Sequence, residues 1–206
     1  MTIRLHRGDL PDQDLTRYTG SAAIDTEAMG LNPHRDRLCV VQMSPGDGSA
    51  DVIQIGKGQR DAPNLKKLLG DPAVVKIFHF ARFDLAALSN AFGVMPQPVY
   101  CTKIASRLAR TYTDRHGLKD LVSEVLNVNL SKQQQSSDWG ADSLSEAQVA
   151  YAASDVLHLP ALREQLDAML KRDGRSEIAA ACFTFLPTRA KLDLLGWDDE
   201  DIFAHS

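Results

Sequence analysis

The 206-residue sequence predicts an α/β fold with a mixed central sheet flanked by helices, and three observations support this. Strand-length apolar blocks fill the first half of the chain, helical spacing takes over in the second half, and turn residues separate the blocks. Composition allows one sizeable core: 44% of residues are hydrophobic and 24% charged. That suits a single domain over 1–206, with 175–206 as a helical extension.

The elements follow in order. Residues 22–27, 38–43 and 51–55 are predicted strands, and Ser44-Pro45-Gly46-Asp47-Gly48 supplies a turn between the last two, making a β-meander. A short helix over 64–69, a buried strand over 74–79 and a helix over 83–92 closed by Gly93 come next. Beyond Pro98 the β pattern stops, and helices are predicted over 102–109, 118–126, 147–157, 161–171 and 178–195. The helix over 147–157 has two possible capping boxes, Ser143-Leu144-Ser145-Glu146 and Ser145-Glu146-Ala147-Gln148, while Pro160 kinks or splits its far end.

Composition also excludes functions. Residues 1–20 are too polar for a secretory signal, and the longest apolar run, 178–186, is far shorter than the roughly 20 residues a membrane helix needs. A soluble, cytoplasmic protein is expected, with no membrane partner. Cys39, Cys101 and Cys182 are odd in number and sit in apolar stretches, as buried thiols do. A net charge of −4 argues against coating long polyanions, so any phosphate binding must be local. Lys103, Arg107, Arg110, Arg115 and Lys119 are the candidate cations, and a solvated helix face accounts for them equally well. Asp198-Asp199-Glu200-Asp201 reads as a solvated end.

Five residues carry the chemistry. Asp25 and Glu27 lie two apart on a strand and share a face, where two like charges need a neutralising cation. A polar strand end fits an isolated Asp-x-Glu equally well. Asp84, in His79-Phe80-Ala81-Arg82-Phe83-Asp84, sits where strand turns into helix, a position where sites gather and where a helix dipole also favours an acid. Tyr151 and Asp155 are one helical turn apart on one face.

Taken together, Asp-x-Glu on an early strand, His-x-Ala-x-x-Asp after a later strand and Tyr-x-x-x-Asp on a late helix resemble the three motifs of the DEDDy 3′–5′ exonucleases. Arg37-Leu38-Cys39-Val40-Val41-Gln42-Met43-Ser44 and Asp138-Trp139, Leu144-Ser145 and 151–156 resemble the ribonuclease D group, over residues 15 to 170 in all. The resemblance implies an RNase H-like exonuclease fold and two divalent cations, Mg²⁺ or Mn²⁺, held by Asp25, Glu27, Asp84 and Asp155. Asp25 would serve both ions, and Tyr151 would orient the attacking water and assist its deprotonation. Products would be nucleoside 5′-monophosphates.

The stretch Tyr18 to Ile55, including Asp25-Thr26-Glu27 through Asp36-Arg37, resembles the nanoRNase C family of diribonucleases, and no additional nucleic-acid-binding domain is expected. That implies short RNA, chiefly 5′-phosphorylated dinucleotides, as partner, and a homo-octamer. Met29 and Leu31 are candidates for an apolar wedge between bases; both also suit local core. Ser106, Arg107, Lys132, Gln135, Ser136 and Ser137 are candidates to cap a 5′ phosphate, and a solvated loop explains 132–137 as well. His79 is a further substrate-contact candidate, and a core histidine is the bland alternative. Trp139 reads as a packing anchor. Apolar residues of 178–195, including Phe183, Phe185, Leu186, Leu192, Leu194 and Leu195, need a cover, either the parent domain or another copy. The alternatives are a general ribonuclease D-like enzyme on longer RNA or DNA 3′ ends and, least, a non-catalytic scaffold.

Overall fold

The computed structural model describes residues 2–131 and 133–205. The meander forms as expected from β2 (Ser21–Ala28), β3 (Leu38–Ser44) and β4 (Ser49–Gln54), each antiparallel to the next. The β3–β4 turn is held by its polar residues: Ser44 Oγ donates to the Ser49 carbonyl at 2.7 Å, and Asp47 Oδ1 accepts from the Ser49 N–H at 2.9 Å. Every residue of β3 is buried, which is why it reads as a continuous apolar run rather than an alternating one.

Two strands escape the sequence patterns. β1 (Thr2–Arg7) runs parallel to β4 at one edge, and β6 (Val99–Cys101) runs parallel to β5 (Val75–Phe78) at the other. β1 is polar on alternate positions because it is an edge strand, and β6 is only three residues long. The sheet order is β1-β4-β3-β2-β5-β6, a mixed sheet whose centre is β3-β2. The sheet flanked by helices is the RNase H-like architecture expected for this fold class.

The helices are α1 (Asp12–Leu15), α2 (Pro63–Gly70), α3 (Ala81–Phe92), α4 (Thr102–Ala109), α5 (Leu118–Leu126), α6 (Glu146–Leu157), α7 (Leu159–Arg172) and α8 (Ser176–Leu194). Of the two possible capping boxes the second forms: Ser145 Oγ accepts from the Gln148 N–H at 3.2 Å and Gln148 Oε1 from the Ser145 N–H at 2.9 Å. Pro160 lies in the first turn of α7, where its missing N–H costs nothing, so the chain breaks at His158 into two helices. Gly93 closes α3 in the left-handed conformation, φ 71°.

Several charged residues turn out to be structural. Arg110 is 0% exposed; it donates to Ser106 Oγ, the Arg115 carbonyl and Glu124 Oε2, and is thereby withdrawn from phosphate. Arg115 pairs with Asp120. Arg82, in the first turn of α3, donates to both oxygens of Asp193 on α8 at 2.6 and 2.8 Å and to the Asp198 carbonyl at 2.5 Å. The acidic end is therefore docked through its backbone, although its side chains are exposed. Cys39 and Cys101 are buried as expected, whereas Cys182 is only half-buried. No described helix is long and apolar enough to cross a membrane.

Asp51 anchors the β1 edge. It is fully buried and accepts hydrogen bonds from His6 Nε2 at 2.9 Å, Tyr18 Oη at 2.6 Å and Arg17. Asp51→Ala leaves Arg17 without its main partner inside the fold. We expect a loss of about 2–3 kcal/mol, below the full cost for a wholly buried pair because Arg17 is partly solvated. Urea unfolding monitored by circular dichroism measures it; a loss within experimental error contradicts the anchor.

Candidate active site

β2 is the central positioning element. Its parallel pairing with β5, Ala23 opposite Ile77, sends the C-terminal ends of both strands to the same edge of the sheet. Asp25 and Glu27 emerge from β2 there, and the chain leaving β5 turns through His79 and Phe80 into α3. A bulge between Glu27 and Ala28 ends the regular ladder just past the second acid.

Neighbouring polar groups orient the carboxylates. Gln42 sits opposite Asp25 in register, is fully buried, and its Nε2 donates to Asp25 Oδ2 at 2.5 Å. Thr26, which alternation turns to the other side of the strand, donates its hydroxyl to Asp84 Oδ1 at 2.7 Å. Asp84 is buried in the first turn of α3. α6 packs across β2, β3 and β4 and delivers Tyr151 and Asp155. Asp25, Glu27 and Asp155 each place a carboxylate oxygen within 4.8 Å of the others. They line a cleft of about 310 Å³ together with His79, Lys103 and Tyr151.

The electrostatics are lopsided. Burial, first, and the neighbouring carboxylates, second, push Glu27 up to about 8 and hold Asp25 well above the carboxylate range. Burial raises Asp84 and Asp155 to about 7, opposed by the Thr26 hydrogen bond at Asp84 and the Tyr151 hydrogen bond at Asp155. Burial and then the Asp155 charge raise the Tyr151 phenol as well. Among the described residues, no Lys or Arg forms an ion pair with any of the four acids.

A second cluster, His6, Asp14 and Asp51, offers a contrast, because Arg4 and Arg17 already neutralise it. The first cluster has only oxygen donors and, among the described residues, no Lys or Arg paired with it. That fits hard divalent ions such as Mg²⁺ or Mn²⁺.

The other predicted site residues are scattered. His79 reaches the cleft and its Nδ1 bonds Thr102 Oγ1 at 2.9 Å. Gln135 lines the cleft. Met29 and Leu31 are exposed beyond the bulge rather than in the core, Leu31 at 83%. Ser106 is fully buried and its hydroxyl is taken by Arg110 and His116, so it is not brought to the cleft. Arg107 and Ser136 are exposed and outside its lining, and Ser137 donates to Gln134. Lys132 lies outside the described residues. Trp139 is buried against the Tyr151 ring, centroids 6.1 Å apart, as a packing anchor.

Sequence reasoning missed Gln42 and Thr26 as groups that orient the acids. The available signal was a lone amide in the buried run of β3, and the hydroxyl between the two acids.

A central mixed sheet with an acidic cleft at the ends of its strands is the architecture of a 3′–5′ exonuclease domain. A family model described as 3′–5′ exonuclease matches residues 14–171, and the chain belongs to that family; within it, it is ribonuclease D-like. Ribonuclease D of Granulibacter bethesdensis is 39% identical over 152 residues, covering 74% of this chain but 38% of the relative. The chain thus spans well under half the length of that relative. Among solved structures, Brucella melitensis NrnC with bound Mg²⁺ is 65% identical with a TM-score of 0.96, and the same protein bound to pGG is 66% identical with a TM-score of 0.97. Both matches cover 100% of each chain.

The crowded acids make stability depend on pH. Their folded pKa values, about 7 to 8, lie above the ordinary 3.8 to 4.5, so over that window the folded state binds more protons than the unfolded one. Their contribution is fully present below about pH 4 and is lost as pH rises through about 8. With EDTA present, the melting temperature of wild type should therefore fall more steeply from pH 5 to 8 than that of Asp155→Asn. Added Mg²⁺ should flatten the difference; identical slopes in EDTA refute the crowding.

Proposed function

We propose that this chain is a divalent-metal-dependent 3′–5′ exoribonuclease that releases nucleoside 5′-monophosphates, and that its preferred substrate is a 5′-phosphorylated RNA dinucleotide. The observation that carries the chemistry is the convergence of Asp25, Glu27, Asp84 and Asp155 with, among the described residues, no Lys or Arg ion-paired to them. Asp25, Glu27 and Asp155 would hold divalent ions through oxygens facing the cleft, with Asp84 completing the set from α3. Two such ions, if bound there, would supply Lewis-acid stabilisation of the attacking and leaving oxygens of an in-line displacement.

The protein's own groups do the rest. Gln42 and Thr26 fix the orientation of Asp25 and Asp84, so little carboxylate reorganisation accompanies substrate entry. Tyr151, whose phenol is held protonated by burial and by Asp155, acts as a hydrogen-bond donor that orients the attacking water; it is no base at neutral pH. Water attacks the phosphorus, the bond to the 3′ oxygen of the upstream nucleotide breaks, and that oxygen takes up a proton.

Support for a two-nucleotide substrate comes from the full-length likeness to NrnC bound to pGG, and from Leu31. The loop that presents Leu31 is internally tied: Asp36 accepts from the Asn32 N–H at 3.0 Å and from Arg35, and the Asp36 N–H donates to the Asn32 carbonyl at 2.7 Å. A Cβ on Gly30 would lie 2.3 Å from Asp36 Oδ2, so a larger residue there displaces the carboxylate that ties the loop. An exposed leucine on an internally tied loop, four residues beyond Glu27 and lining the groove that also holds Phe80, suits a wedge between two bases. Exposed Ile178, Phe185, Leu195, Trp197 and Phe203 support self-association of this chain in solution.

The curated ribonuclease D relatives favour a second reading, a broader exonuclease on longer RNA or DNA 3′ ends. Initial rates on 5′-phosphorylated RNAs of two to seven nucleotides with Mn²⁺ or Mg²⁺ decide between them. A steep fall beyond length two supports the diribonuclease; flat rates support the broader enzyme; no hydrolysis refutes both. Asp25→Asn should abolish turnover with the fold intact. Tyr151→Phe should slow turnover about 10²-fold while keeping the Mg²⁺-dependent rise in melting temperature. Wild-type rates in either variant contradict the assigned roles.

A further inference from the structure

Phe80 combines two features that ordinary packing does not explain. Its backbone is left-handed, φ 70° and ψ 45°, at the entrance of α3. Asn127, the other non-glycine residue with positive φ among those described, belongs to a type that tolerates this region; a bulky aromatic does not. Phe80 is also 47% exposed, so burial of its ring does not offset that backbone cost.

The location gives both features a use. Phe80 follows His79, which lines the catalytic cleft, and precedes Asp84 by one helical turn. Lys103, another residue of the cleft, holds its Nζ 4.4 Å from the centre of the Phe80 ring. The ring also lines the adjoining groove together with Leu31, Arg82 and Asp193. The aromatic surface thus follows a cleft residue, shares a groove with the exposed leucine, and has a cation of the cleft at its face. The groove wall is firm, because Arg82 and Asp193 are clamped together.

A flat aromatic surface next to a lysine matches the two recognisable parts of a nucleotide, a base that stacks and a phosphate that attracts positive charge. The geometry points to Phe80 as a base-stacking residue: its ring receives one nucleobase of the substrate, and Lys103 attends the neighbouring phosphate. This rests on the short-RNA reading above and adds to it a second residue, lining the same groove as Leu31, that grips a base.

The test uses a 5′-phosphorylated RNA dinucleotide with a non-cleavable methylenephosphonate linkage, carrying 2-aminopurine as either the first or the second base. It is titrated into the full chain in Mg²⁺ and followed by fluorescence. Wild type should quench one of the two probes on binding. Phe80→Asn, which tolerates the left-handed backbone, should lose that quench and bind about tenfold more weakly; Phe80→Trp should retain both. Replacing the quenched base by an abasic site should make wild type and Phe80→Asn equal in affinity. If Phe80→Asn fails to fold, Phe80→Leu, which keeps apolar bulk without a π-face, takes its place with the same expectation. Binding and quenching unchanged in these variants overturns the stacking role alone. Binding by wild type without quenching of either probe does the same, whereas no binding by wild type overturns this role and the dinucleotide reading together.

Discussion

Mutual repulsion among buried carboxylates is the constraint around which this molecule is organised. Four acids are brought together by β2, α3 and α6, and burial alone raises each of them before their charges are counted against one another. A fold tolerates such an arrangement only when something holds the oxygens in place. Gln42 on β3 and Thr26 on β2 do so, one holding Asp25 and the other Asp84.

Three of the chain's arginines are paired away from the acids, which leaves the carboxylates without an ion-pair partner among the described residues. Arg17 is spent on Asp51, Arg110 on Glu124 and backbone carbonyls, and Arg82 on Asp193. Arg17 ties its segment to the sheet, Arg82 ties α8 to α3, and Arg110 ties the end of α4 to α5. Lys103 and Lys119 remain at the cleft, where flexible point charges can attend a phosphate without competing for the acids. Leu31 stands on a loop hydrogen-bonded onto itself, and Phe80 stands on a strained turn; both carry apolar groups that a purely structural loop would bury.

Much of the core architecture was written in local pattern. The meander, the helices from α2 to α8 and the capping box at Ser145 follow from apolar spacing, glycine and proline positions and cap chemistry, all short-range properties. β1 and β6 were invisible for a physical reason. β1 alternates, but with only two apolar residues, Ile3 and the exposed Leu5, which leaves too weak a signal, and a three-residue strand is shorter than any period; both are held by the ladders that β4 and β5 offer.

The site divides in the same way. The sequence by itself determined which residue types could bind hard cations, and the two pairs, Asp25 with Glu27 and Tyr151 with Asp155, that strand and helix periodicity place on common faces. Only the tertiary structure decided that these pairs meet, that Gln42 and Thr26 steer them, that Ser106 and Arg110 are consumed inside the fold, and that Phe80 stands exposed beside Lys103. Periodicity sets the direction of a side chain within its own element. Convergence between elements depends on strand register and helix packing across more than a hundred residues, and no local pattern encodes those distances.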